Sequence, residues 1–345
     1  MTATYKTPLL IIGGLFIIWG ILGLIDARNV PYAGYLTDPS NTVIRVDDGS
    51  PAEAAGLSIG DRVMSIAGVS IEDTPALTRM PRARIGETRT LVVESAEGAV
   101  EGTREVAITY AGQSGKNVAL TWAAFVIGLC FIGFGLLAYM KAPGRSSLLL
   151  AVTGLCLGVA FLGGPYIASY GLRTIVNTVQ LLIAVLGFAT LLHCLLEFPK
   201  VKKLLAKQPM MKVIYAPAVV LVLFLLWLII FEPAGTSTLN NLVNALVGIF
   251  IAGYFGLALV ALVHSYVTAT SAERSQFGLN LLLVGLLIGL VPLTAAALVG
   301  TFAPGVLLPG SDFFFLTMVF IPITLAMAIM KTSGMRAAEA KPPLM

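Results

Sequence analysis

Eight stretches of this chain are apolar enough, and long enough, to cross a lipid bilayer, and no other feature restricts its fold as strongly. They run from Leu9 to Ile25, Val118 to Met140, Ser147 to Tyr170, Ile175 to Leu196, Ile214 to Phe231, Asn241 to Tyr266, Phe277 to Gly300 and Phe313 to Met330. A hydrocarbon core of roughly 30 Å needs about 20 helical residues to span it. Inside it each backbone N–H and C=O must find its partner within the protein, which for separate apolar segments means helices.

Charge is segregated accordingly. Only 12% of the residues are charged, against about a quarter in ordinary soluble domains. The segment from Asp26 to Lys116 carries most of the acidic residues, and the basic residues elsewhere fall in short runs between the apolar stretches. The expected architecture is therefore an α-helical polytopic membrane bundle of about 8 transmembrane helices with one inserted α+β domain. Residues 1–27 are an N-terminal anchor, 28–114 the polar domain, 115–332 a seven-helix bundle and 333–345 a short tail. Short basic runs between spans are not the clustered basic face that a nucleic-acid binder presents, so no nucleic-acid partner is expected.

Orientation follows from the short loops, because Lys and Arg near span ends resist translocation. Placing Lys6 in the cytoplasm puts Lys141, Arg145, Lys200, Lys202, Lys203, Lys207, Lys212, Arg274, Lys331, Arg336 and Lys341 on the same side and leaves only Arg173 in a short outer loop. Both termini are then cytoplasmic and the polar domain lies outside the membrane. No small-x-small cleavage site follows Ile25, so the first span reads as an uncleaved anchor. The three cysteines, Cys130, Cys156 and Cys194, all lie in apolar stretches, so the polar domain must fold without a disulfide.

Within that domain Val43 to Val46 reads as a strand. Ser50 to Gly56 reads as a complete short helix, with Ser50 as N-cap, Pro51 at the first position, Glu53 closing a capping box and Gly56 as the stop. A strand at Val63 to Ile66 follows the Gly60-Asp61 turn, a second helix is expected over Thr74 to Arg84, and strands over Arg89 to Glu94 and Glu105 to Tyr110. This order predicts a small, partly open barrel. The run Gly49-Ser50-Pro51-Ala52-Glu53-Ala54-Ala55-Gly56-Leu57, followed by Gly60-Asp61-Arg62-Val63 and Ile66-Ala67-Gly68, resembles the permuted PDZ domains of bacterial exported proteases. The resemblance implies that a loop of backbone N–H groups receives a peptide's C-terminal carboxylate and that the peptide adds as a strand, the mode in which main-chain hydrogen bonds supply affinity. On this sequence the loop would be Tyr32-Ala33-Gly34-Tyr35, with Leu36 and Thr37 opening the groove and Leu77 and Met80 facing it from the second helix. Asp38-Pro39-Ser40-Asn41 leaves the groove strand short, and Pro81 interrupts the helix. A spacer or docking role for the domain remains open at this point.

The spans carry few ionisable groups, which are the usual mark of pumps and intramembrane enzymes. His193 and Glu197, one helical turn apart near a span end, form the main candidate pair, and Pro292 and Pro322 should bend their spans. Asn177, Gln180 and Asn244 outline a possible outward pocket between the fourth and sixth spans, with interhelical hydrogen bonding as the plainer alternative. Neither histidine belongs to a His-Glu-x-x-His zinc helix, and no phosphate loop or nucleotide fingerprint is present. The expectation is no catalysis, no metal and no cofactor.

A second resemblance spans the whole chain. One anchor, an exported PDZ-like domain and a bundle in which a span closes with His193, Glu197, Phe198 and Pro199 (His-x-x-x-x-Phe-Pro) is similar to the membrane input region of PDZ-containing sensor histidine kinases of the competence-pheromone receptor type. Those proteins continue into a kinase or phosphatase domain, whereas this chain stops soon after its last span, so either the output lies in a cytoplasmic signalling partner or the module has been repurposed. The basic loop from Lys200 to Lys212 offers a surface for that partner or for anionic lipid. The functional expectation is a sensory or adaptor protein whose domain binds a peptide or protein C-terminus. A transporter or lipid- and envelope-handling protein with an accessory PDZ domain is the alternative.

Overall fold

The computed structural model describes residues 5–95, 102–202, 209–231, 237–303 and 305–339. A first helix, α1 (Lys6–Asp26), leads into a small β-rich domain, and the rest of the chain is helical. Eight helices among the described residues are long and apolar enough to cross a membrane.

The β-rich domain contains β1 (Pro31–Tyr32), β2 (Tyr35–Thr37), β3 (Val43–Val46), α2 (Pro51–Ala54), β4 (Arg62–Ile66), β5 (Val69–Ser70), α3 (Thr74–Arg79), β6 (Thr88–Glu94), β7 (Thr103–Thr109) and β8 (Ala111–Gly112). Its strands form one sheet in the order β5-β4-β6-β7 and two antiparallel pairs, β2-β3 and β1-β8. Alternation along β6 and β7 turns Leu91, Val93, Val106 and Ile108 inward. There they pack with Val43, Ala52, Leu57 and Val63 in a dry core. Ser50 caps α2 by accepting from Glu53 N–H, but the Glu53 carboxylate reaches back to Gly49 N–H, one residue earlier than a capping box requires.

The helix expected over Thr74 to Arg84 is α3, and it stops at Arg79. Met80 precedes Pro81, whose ring drives the preceding residue out of helical geometry, and Met80 accordingly has ψ 134°.

The bundle comprises α4 (Gly115–Lys141), α5 (Arg145–Leu162), α6 (Tyr170–Glu197), α7 (Pro209–Phe231), α8 (Ser237–Thr268), the short α9 (Ser271–Gln276), α10 (Leu279–Phe302) and α11 (Phe320–Glu339), with a 3-10 segment, Ser311–Val319, before α11. α4 and α5 approach closely because Gly154 and Gly158 lie against the backbone carbonyls of Phe131 and Gly128. Small residues permit that contact where apolar lipid offers no hydrophobic drive to association. α1 packs its Leu9, Gly13, Gly20 and Gly23 face inward and leaves Ile11, Leu15, Ile18 and Ile25 exposed, as a peripheral span would.

The third apolar stretch was expected to reach Tyr170, but α5 ends at Leu162. Gly163 takes a positive φ of 68°, and the chain runs extended to α6. The last stretch is also divided, with 3-10 geometry up to Val319 and α-helix from Phe320. Pro322 sits in the first turn of α11, directly after the 3-10 segment, whereas Pro217 and Pro292 lie inside α7 and α10.

Candidate functional site

The loop before β2 is rigidly held. Ala33 C=O accepts from Ala52 N–H at 2.9 Å, and Gly34 C=O accepts from Asp47 N–H at 2.8 Å. A trans peptide unit points its carbonyl and its N–H to opposite sides. Hence the N–H groups of Gly34 and Tyr35 are directed away from α2 and β3. The second of those bonds also makes Tyr35–Val46 a non-hydrogen-bonded pair in the β2-β3 ladder, which turns the N–H and C=O of Tyr35 to the outer edge of β2. Among the described residues that edge carries no strand, since β2 pairs with β3 alone.

Gly34 has φ +86°, and a Cβ there would run into the Cβ of the buried cap residue Ser50, so glycine is required twice over. Tyr32 donates its hydroxyl to Asp47 in a short hydrogen bond. Burial, followed by the Asp47 contact, pushes its pKa up to about 12, so it remains a neutral donor at physiological pH. Burial likewise raises Tyr35 to about 12. Leu36 is exposed, whereas Thr37, Leu77 on α3 and Met80 just past its end are half-buried.

Arg89, which sequence reasoning missed, fixes the end of α3. Its guanidinium donates to Glu87 Oε1, to Met80 Sδ and to the Pro81 carbonyl, at 2.7, 3.1 and 2.7 Å. The turn residue Asp61 proves to be buried at 2% exposure and ion-paired with Arg104 at 2.5 Å. That partner lies forty-three residues away, so no local pattern announces it.

Among the described residues, side chains tie the domain to the bundle in several places. Asp312, at the head of the 3-10 segment, receives Arg45 Nη1 from β3 at 2.7 Å and Lys116 Nζ from the start of α4 at 2.8 Å. Tyr166, in the extended stretch after α5, donates its hydroxyl to Ala83 C=O at 3.2 Å and lies under Arg82, while its N–H donates to Asp26 at 3.1 Å. The one sequence signal for the first tie was a lone aspartate at the mouth of an apolar span. Beside it, the tip of the β2-β3 hairpin overhangs a cleft of about 450 Å³. Thr37 and Ile44 of the hairpin, Asn244 and Gly248 of α8, and Ala297 and Gly300 of α10 line this cleft.

Asn244 thus faces the hairpin and α10, and neither Asn177 nor Gln180 lines that cleft. Asn177 is exposed, and Gln180 donates to Gly163 C=O at 3.2 Å. At the opposite end of the bundle Glu197 pairs with Arg145 at 3.3 Å, and His193 Nδ1 lies 3.1 Å from the Tyr215 hydroxyl. His193 Nε2 and Glu197 Oε2 are 4.0 Å apart. Phe198 is buried and Pro199 half-buried beside them. In the following loop Lys200 pairs with Glu273. Lys202, its pKa lowered by burial, donates to Ala261 C=O and Ser265. Lys203 and Lys207 lie outside the described residues, as does Lys341 in the tail.

Residues 42–95, from the turn before β3 through β6, match the family model of the PDZ domain. The Tyr32–Tyr35 loop and β2 precede the matched stretch. Comparison with curated proteins and with solved structures finds no match. The chain therefore carries a PDZ domain, a module that binds peptide or protein C-termini, together with helices suited to a multi-pass membrane protein.

Proposed function

We propose that this protein is a recognition module of a bacterial inner membrane, in which the PDZ domain lies outside and binds a peptide or protein C-terminus. The bundle would couple that event to a cytoplasmic signalling partner, and no catalysis is involved. One observation carries this reading. Gly34 and Tyr35 direct successive N–H groups away from the domain at the start of a strand with an open edge, an arrangement suited to a carboxylate followed by an added strand. The sensory part rests on the buried His193, Glu197 and Phe198 and the half-buried Pro199 at the end of α6 and on their similarity to sensor input regions.

The test uses the full-length chain in detergent and a library of random C-terminal heptapeptides. Selected peptides should bind as free acids and lose at least tenfold in affinity as C-terminal amides, because the amide cannot present the same charge to the two N–H groups. Equal binding of acid and amide would remove the carboxylate-loop assignment. Sidedness rests on the Lys and Arg distribution. After the native cysteines are replaced by alanine, Ser70→Cys should react with a membrane-impermeant maleimide in intact cells, and Ser271→Cys only after lysis. The reverse pattern would place the domain inside.

A further inference from the structure

The hairpin that forms the peptide edge also roofs the cleft in the bundle, and the direction of the edge indicates where a bound chain comes from. With its carboxylate on the Gly34-Tyr35 loop, a peptide added to β2 runs antiparallel to that strand, so its upstream residues travel from Tyr35 towards Thr37. β2 is three residues long. At about 3.3 Å per residue the peptide draws level with Thr37 about four residues from its end. Thr37 and Asp38 are lining residues of the cleft between α8 and α10. The continuation of the peptide is therefore delivered to the span ends.

We infer that the partner is itself membrane-anchored: a polypeptide whose last span seats against the α8–α10 cleft and ends, a few residues beyond the bilayer, in the carboxylate that the PDZ domain holds. This rests on the carboxylate-loop reading of Gly34 and Tyr35. The chemistry of the cleft agrees. It is apolar along Val247 and Ile251, as a lipid-facing helix requires, and its polar lining residues are Thr37 and Asp38 of the hairpin, Asn244 near the start of α8 and Thr301 near the end of α10. There an emerging chain exposes peptide groups that need partners. The hairpin is held over this place by the Arg45–Asp312 ion pair. Loop, edge and cleft thus form one continuous surface. A partner held there by its own span meets the groove at a high effective concentration, so a weak three-residue edge suffices.

The experiment compares two carriers of the same random C-terminal library with the full-length protein in lipid nanodiscs. One carrier is an apolar helix of about 20 residues joined to the library through a four-residue spacer; the other is a soluble protein with a long flexible linker. Enrichment should favour the anchored carrier by at least tenfold and vanish for both carriers when the C-terminus is amidated. Gly300→Leu fills the cleft at a position where a Cβ meets nothing within 4 Å, so the bundle should still form. This variant should erase the advantage of the anchored carrier and leave soluble capture unchanged. Equal enrichment of both carriers, or an anchored advantage that survives Gly300→Leu, overturns the inference while leaving C-terminal recognition intact. Enrichment of neither carrier overturns both.

Discussion

Replacing Gly34 with valine is expected to abolish capture of C-terminal peptides by the full-length protein, lowering affinity at least 100-fold. Two effects combine. A β-branched residue at φ +86° is forced into a region that L-residues avoid at a cost of roughly 1–2 kcal/mol, and the new Cβ collides with that of Ser50. Ser50 cannot retreat, because it is 3% exposed and its hydroxyl caps α2. The loop must therefore shift, which takes the Gly34 and Tyr35 N–H groups off target. Gly49→Ala is the matched control. Its φ is +66°, yet a Cβ there meets nothing within 4 Å. It should cost about 1 kcal/mol of stability and leave peptide affinity within threefold of the parent. If Gly34→Val binds as well as Gly49→Ala, the loop does not receive the carboxylate.

The second large effect is expected in stability. In Arg104→Met the Asp61 carboxylate, 2% exposed, keeps as donors among the described residues Ser58 N–H at 2.9 Å and a distant Ser95 hydroxyl. Removing one partner of a buried ion pair costs roughly 3–5 kcal/mol. Arg104 is itself 38% exposed, so water can replace part of what is lost, and about 2–3 kcal/mol is the expected loss. Amide hydrogen exchange in β4, β6 and β7 should accelerate about 100-fold, at roughly 1.4 kcal/mol per factor of ten, while exchange in α4 and α5 stays unchanged. Asp61→Leu combined with Arg104→Met removes both charges and should recover most of the protection. If the single variant exchanges like the parent, the pair has no structural weight.

The apolar spans were legible because bilayer thickness and backbone hydrogen bonding act locally on composition. The Ser50–Gly56 helix was legible because capping is encoded within four residues. What was misread lay at helix ends governed by one or two residues. Gly163 halts α5 early through a positive φ, whereas Pro81, already read as interrupting the second helix, ends α3 through its effect on Met80. The Tyr32–Tyr35 loop was assigned to peptide binding by resemblance alone, and the tight fit of Gly34 to Ser50 depends on a contact sixteen residues away in sequence. The Asp61–Arg104 pair and the Asp312 junction were invisible for the same reason: each joins segments that meet only after folding. Asn244 was correctly singled out as polar, but its neighbours are a β-hairpin and α10, which no helical periodicity connects to it.

The PDZ domain enters the chain through β1 and leaves through β8, and these two strands pair with each other, Pro31 with Gly112 and Tyr32 with Ala111. Its entry and exit are thereby stitched into one short ribbon above α1 and α4. Such a ribbon resists swivelling but presents a single seam. At that seam the recognition head becomes an exchangeable cartridge: another domain with similarly adjacent ends would sit in the same bundle without any span having to move.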